Sequence, residues 1–278
     1  MSDKVDAEIS CERYIIERGK LLNNWRSQQQ VMKDLAEKFI YIRVGGDKYR
    51  PVSVHFDNPC GSLKRRSGNE DEIGGIKSLE TALENAKAAA PADTKRPGNR
   101  KPEHVVQAGL IQHALLHDML LNGRLNGFSK FFDELIFVTD ELKAGGIRAD
   151  IIALGGKEGR YFPVFIELKG IRSFNRVLKQ LMDAQEEMGK FRYSFVEMLV
   201  KGTGKAVETI AFEDYKLLVV WPGALSGKGN ASAARAVSEK GLESAKGHLL
   251  LGEFPPMPKN HWDASKAFNS VVGFVESA

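Results

Sequence analysis

Apolar and polar positions change rhythm several times along the chain, and each change predicts an element. Over residues 4–37, Tyr14, Ile15, Leu22, Trp25, Met32 and Leu35 recur at three- to four-residue steps between charged side chains, the period of one long helix. That stripe suits either a partner helix or the helix's own domain, and Arg18 and Gln29 interrupt the seam that a coiled coil needs. From Phe39 to Phe56 apolar and polar residues alternate on both sides of Gly45-Gly46-Asp47, which predicts a hairpin. Cys60 to Gly75 is polar and glycine-bearing, with Lys64-Arg65-Arg66 followed by Glu70-Asp71-Glu72, and reads as a loop before a short helix over Leu79 to Ala90. Pro91 to Pro102 then combines proline with Lys95, Arg96, Arg100 and Lys101, the composition of a flexible basic linker.

Past the linker the periods tighten. Pro102 is placed to open a helix over Glu103 to Leu121, which carries Val106, Leu110, Ile111, Ala114, Leu115 and Leu121 on one face. Three apolar segments of strand length follow, Glu134–Thr139, Ile147–Leu154 and Phe162–Ile171, joined by polar or glycine-bearing connections that favour a meander. A helix is predicted from Asn175 to about Val200, broken near Gly189, and Tyr215–Trp221 is a continuous apolar run of the kind buried on both faces of a sheet. Beyond Pro222 the chain is rich in Gly, Ala and Ser to about Gly247, and the remainder gives weak signals. The predicted organisation is an N-terminal α+β module over 1–90 for recognition, regulation or dimerisation, a linker over 91–102, and an α/β domain over 103–278 with a mixed sheet flanked by helices.

Composition narrows the class. With 278 residues, 42% hydrophobic and 27% charged, the chain is an ordinary globular protein, neither fibrous nor disordered. No apolar run approaches the ~20 residues of a membrane span and no secretory leader opens the chain, so a cytoplasmic protein with no membrane partner is expected. Cys11 and Cys60 cannot build a disulfide framework and lack zinc spacing, so both are expected to be reduced. A formal charge of +4 is no global field, so nucleic acid would have to meet a local basic patch.

The candidate chemistry lies where charge enters two core strands. If the second and third strands pair through Gly155-Gly156-Lys157-Glu158-Gly159-Arg160, Asp150 faces Glu167 across the ladder. Opposed residues have Cβ atoms ~5 Å apart, and alternation gives Glu167 and Lys169 the same face. Two carboxylates so close repel, and a divalent cation such as Mg²⁺ or Mn²⁺ relieves that repulsion, because hard cations take carboxylate and carbonyl oxygens. In phosphodiester hydrolysis Lys169 would then orient the water or neutralise the developing charge. Glu103, in the first turn of the preceding helix, is either a further ligand, direct or through water, or an acid that complements the helix macrodipole. In a fold without a site, Asp150 would be a buried turn acid and Glu167 and Lys169 a surface ion pair on an edge strand.

Asp150 and Glu167-Leu168-Lys169, in the order helix, three strands, helix, strand, resemble the PD-(D/E)XK nuclease superfamily, the restriction-endonuclease-like fold. The resemblance covers roughly residues 101–222, and Ala149 stands before the acid where many members have proline. It implies an αβββαβ core, Mg²⁺- or Mn²⁺-dependent phosphodiester hydrolysis with Asp150 and Glu167 as metal ligands, and Lys169 as a catalytic residue. It also implies a role near the scissile phosphate for a glutamine or basic residue of the following helix, where Arg172, Arg176, Lys179 and Gln180 stand and Gln180 is the candidate. DNA is the expected substrate and partner, with an endonuclease of restriction or defence type the first reading, and two active sites in a homodimer the simplest route to double-strand cleavage. RNA or single-stranded DNA under partner or ligand control, or a nucleic-acid-binding protein that has lost catalysis, are the alternatives.

Other motifs are set aside. His113 and His117 have zinc-pair spacing, but Ala114 stands where HExxH needs its glutamate. Lys201-Gly-Thr-Gly-Lys-Ala206 lacks the earlier glycine and the following Ser or Thr of a phosphate loop, and reads as a mobile loop.

Overall fold

The computed structural model describes residues 2–27, 33, 41–45, 48–51, 107, 110–111, 114–115, 128–144, 147–169, 177–222, 247–254 and 273–276. Helix α1 (Ser2–Ser27) is followed by an antiparallel hairpin of β1 (Tyr41–Gly45) and β2 (Lys48–Pro51), as the alternation over Phe39–Phe56 predicts. Gln107, Leu110, Ile111, Ala114 and Leu115 are helical, with Leu110, Ile111 and Ala114 buried on the predicted face. A short helix α2 (Phe128–Phe131) leads into strands β3 (Glu134–Ala144), β4 (Ile147–Lys157) and β5 (Arg160–Leu168). Helices α3 (Val177–Lys190) and α4 (Arg192–Thr203) then cross to β6 (Lys216–Pro222), and β7 (Leu249–Phe254) and β8 (Gly273–Glu276) complete the sheet. The predicted helix break near Gly189 falls at Phe191, between α3 and α4.

One mixed sheet runs β3-β4-β5-β6-β7-β8. The first three strands form the predicted antiparallel meander, while β5-β6 and β6-β7 are parallel. The α3–α4 segment supplies the long crossover that a parallel pair requires, since two neighbouring parallel ends lie a full strand length apart. Every position from Phe162 to Leu168 is buried, and Leu217 to Val220 are at most 1% exposed, so this centre of the sheet is covered on both faces. The class is therefore α/β, a mixed sheet flanked by helices.

The hairpin between β4 and β5 differs in detail from its predicted turn. Gly155 and Gly156 belong to β4, paired with Phe162 and Tyr161, and the chain reverses at Glu158-Gly159 alone. Both turn residues have positive φ, 51° and 77°, as a type I′ turn demands. Asp133 secures the turn: its carboxylate accepts from the Glu158 backbone N–H at 2.7 Å and from Lys157 Nζ at 2.9 Å, which together hold its pKa below the ordinary aspartate value. Lys201 to Ala206 is also ordered rather than a mobile loop. It is the last turn and cap of α4, closed by Gly204 at φ 74° donating to the Val200 carbonyl. Lys205 Nζ then donates to Tyr161 Oη at 2.6 Å and Glu134 Oε1 at 3.0 Å, tying the end of α4 to β5 and β3.

Helix α1 is part of this same core. Cys11, Tyr14, Ile15 and Leu22 are buried with residues of the sheet and of α4, so the first 27 residues pack with the C-terminal elements and not apart from them. Two glycines permit close approach of the helices. A Cβ at Gly19 would stand 3.3 Å from Met198 Cα, and one at Gly202 would stand 3.3 Å from Leu22 Cδ1. Arg18, which interrupts the apolar stripe in the sequence, is fully buried and donates to Tyr14 Oη at 2.6 Å and Thr139 Oγ1 at 3.2 Å. Among the described residues no helix is long and apolar enough to cross a membrane.

Candidate active site

The site is built by hairpin register. Ile151 pairs with Ile166, and the same register runs unbroken to Lys157–Arg160 at the turn. That is the register the sequence predicts for the hairpin; Asp150 and Glu167 each stand one step beyond its last pair, Ile151–Ile166. Ile152 and Phe165 are paired, and alternation along each strand gives Asp150 the face of Ile152 and Glu167 the face of Phe165, one face of the sheet. On this face Phe165 stacks on Phe195 of α4, with ring centroids 5.7 Å apart, and Phe195 meets Phe212 edge-on. Asp150 and Glu167 lie just past this aromatic cover, at the carboxyl end of β5, where ligand sites of parallel sheets form because the chains leave the sheet there.

Each charged group has a defined partner. Asp150 Oδ2 accepts a hydrogen bond from the Leu168 backbone N–H at 2.8 Å, so its carboxylate reaches across to the strand that carries Glu167. Glu167 is only 2% exposed, and Lys169 Nζ donates to its Oε1 at 2.5 Å. A carboxylate that deep costs several kcal/mol unless a cation stands against it, and Lys169 supplies one while its own side chain keeps 27% exposure. Beyond Glu167 the sheet continues through the backbone, the Lys169 N–H donating to Val220 O at 2.9 Å, which fixes the chain direction on which Lys169 is mounted. Asp150 is thus bonded to the same strand end that carries the Glu167–Lys169 pair: a half-buried acid, a buried acid and a partly exposed ammonium.

The remaining candidates are less closely defined. Gln180 lies half-buried in the first turn of α3, a helix that packs on β4, β5 and β6. Glu103, Arg172, Arg176, His113 and His117 lie outside the described residues, as does the linker over 91–102. Among the described residues no group of three or more His, Cys, Asp or Glu side chains is gathered to hold a metal ion. The donors present are the Asp150 and Glu167 carboxylates, hard oxygen ligands on adjacent strands, and these fit Mg²⁺ or Mn²⁺ in kind.

Two buried polar residues were not singled out in the sequence. Gln107, 2% exposed, donates from Nε2 to the Asp150 backbone carbonyl at 3.0 Å. Its signal was available: it stands one turn before Leu110 and Ile111 on the apolar stripe, a polar side chain at a core position. Asp140 is fully buried on β3, paired with Ile151, on the face of the sheet opposite Asp150. The apolar run predicts a strand that ends at Thr139, whereas β3 continues through Asp140 to Ala144 with no apolar run to mark it.

No protein-family model, no curated protein and no solved structure matches this chain.

Proposed function

We propose that this chain is a divalent-metal-dependent nuclease of the PD-(D/E)XK kind, hydrolysing phosphodiester bonds of DNA as an endonuclease of restriction or defence type. The observation that carries the reading is the bond from the Leu168 N–H to the Asp150 carboxylate, which ties Asp150 to the strand end that bears the Glu167–Lys169 ion pair. The element order supports it, since a helix, a three-stranded antiparallel meander, a helical crossover and a parallel strand follow one another as in the αβββαβ core of that superfamily.

Asp150 and Glu167 are the residues that would hold Mg²⁺ or Mn²⁺, with Glu103 the further ligand nominated by the sequence. When bound, such an ion acidifies a coordinated water and withdraws charge from phosphate oxygens. The chain's own contribution is positional. The Leu168 N–H holds the Asp150 carboxylate, the sheet holds Glu167, and Lys169 presents a partly exposed cation beside it, to stand where phosphate charge develops. Gln180, on the helix that follows, is the candidate to orient the water or the phosphate.

The test is to incubate the protein with plasmid, linear duplex, single-stranded DNA and RNA in Mg²⁺, Mn²⁺ or EDTA, beside Asp150→Ala and Lys169→Ala. Cutting of duplex DNA that EDTA abolishes is expected, falling to background in Asp150→Ala and by about 10²- to 10³-fold in Lys169→Ala. Metal-dependent cutting that survives both substitutions sinks the site assignment. Cutting confined to RNA or single strands replaces the substrate, and binding without cutting leaves a nucleic-acid-binding protein in place of an enzyme.

A further inference from the structure

Asp150 is bonded both within the hairpin and from outside it. Its side-chain Oδ2 takes the Leu168 N–H at 2.8 Å, while its main-chain carbonyl takes Gln107 Nε2 at 3.0 Å, a bond between residues 43 apart in the chain. Asp150 stands one step beyond Ile151, whose pair with Ile166 is the last between β4 and β5; on its other side β3 pairs with both of its neighbours, Asp140 with Ile151 and Leu142 with Ala149, so Gln107 meets it on the side that β5 has left. Gln107 stands on helical residues whose neighbours Leu110, Ile111 and Ala114 are sunk in the core, which makes its amide a rigid mount and not a solvent-facing side chain.

We propose that Gln107 is a positioning residue of the active site: by holding the Asp150 carbonyl it helps to fix the part of β4 from which the Asp150 carboxylate meets a divalent metal ion. This inference rests on the nuclease reading above. The physical reasons are the buried amide and the precision that a metal site needs. A side-chain amide that is 2% exposed must use its donors inside the protein, so the bond to Asp150 O is retained while the helix is in place. A carboxylate ligand has to be held to within about 0.5 Å by the shell around it. Releasing the carbonyl loosens Asp150 on the side away from β3, and its Oδ2–Leu168 bond loosens with it. Gln107 itself touches neither substrate nor metal in this role.

The experiment is calorimetric titration of the full chain with MnCl₂ alone, in the wild type, Asp150→Asn, Gln107→Met and Leu110→Val, each checked for a cooperative thermal transition. Gln107→Met keeps the volume and removes the donor; Gln107→Glu, which also cannot donate to a carbonyl when ionised, serves as the second variant should the first not fold. Leu110→Val weakens the same helix without touching the Asp150 carbonyl. Mn²⁺ affinity is expected to fall on the order of 10- to 100-fold in Gln107→Met, the usual effect of removing a group that orients a ligand, and to stay at the wild-type value in Leu110→Val. Wild-type affinity in Gln107→Met, with Asp150→Asn impaired, overturns the inference and leaves the nuclease reading standing. Equal loss in Leu110→Val and Gln107→Met also overturns it, because the amide would then act only through helix stability. A wild-type protein that takes up no Mn²⁺, or an Asp150→Asn that binds as well as the wild type, removes the metal reading and this inference with it.

Discussion

Gly155 and Gly159 belong to the same hairpin and are glycine for different reasons. A Cβ on Gly155 would stand 2.7 Å from Phe132 Cε1 and 2.8 Å from Phe162 Cε2, between two buried rings whose centroids are 5.9 Å apart. A Cβ on Gly159 would meet nothing within 4 Å, but its φ of 77° lies in the left-handed region that a side chain disfavours. Gly155→Ala is therefore expected to cost about 1–3 kcal/mol by overpacking, and Gly159→Ala about 1–2 kcal/mol by backbone strain alone. Urea unfolding reads both, and near-ultraviolet circular dichroism separates them, since only Gly155→Ala displaces aromatic rings. A Gly155→Ala variant with wild-type stability and an unchanged near-ultraviolet spectrum would refute the ring contact. The same residues show what the sequence hides at this scale. The glycines announced a turn, and the register of Asp150 and Glu167 was legible because it depends only on where the turn is centred. Which of the glycines turn was not legible, because Phe132 and Phe162 approach Gly155 through the fold.

At the scale of elements, periodicity located most helices and strands but misjudged a charge. Arg18 read as an interruption of an apolar seam, whereas its guanidinium is sunk between α1 and β3 and bonded to Tyr14 and Thr139. A buried guanidinium tolerates such a position because its stem is apolar and both of its terminal nitrogens donate, Nη1 to Thr139 and Nη2 to Tyr14. Pairing of that kind joins residues far apart in the chain and leaves no local trace. Thr139→Val keeps the shape of the side chain and removes the acceptor, so it is expected to destabilise the protein by about 1–3 kcal/mol, the cost of a buried donor deprived of its partner. Amide hydrogen exchange is expected to rise along α1 and β3 together, with α3 unaffected. A stability equal to that of the wild type would mean that the Arg18–Thr139 bond is not formed in solution. Gln107 teaches the same lesson from the other side: a polar residue on an apolar stripe marks a buried bond, and only the fold identifies the Asp150 carbonyl as its acceptor.

For the whole molecule, the pattern gave the α/β class and the meander, but not the far side of the sheet. Strands β7 and β8 lie beyond a stretch rich in Gly, Ala and Ser, and β7 is defined by parallel pairing to β6, a contact with no hairpin turn to announce it. Nor did the basic linker over 91–102, which marked a boundary in composition, reveal that α1 shares a core with elements on its other side. That sharing makes a strong prediction. Ile15 is fully buried and Tyr14, Leu22 and Cys11 nearly so, and loss of even one large core side chain typically costs about 2–5 kcal/mol. Removing all of them with α1 would exceed much of the ~5–15 kcal/mol that holds an ordinary domain folded, and would bare the faces of α4 and β3 that α1 covers. A chain beginning at residue 28 is therefore expected to lose its cooperative thermal transition and to bind a hydrophobic dye, while Asp150→Ala in the full chain keeps the transition. Cooperative unfolding of the shortened chain, with wild-type cutting of DNA, would show instead that α1 is an accessory to a domain able to stand without it.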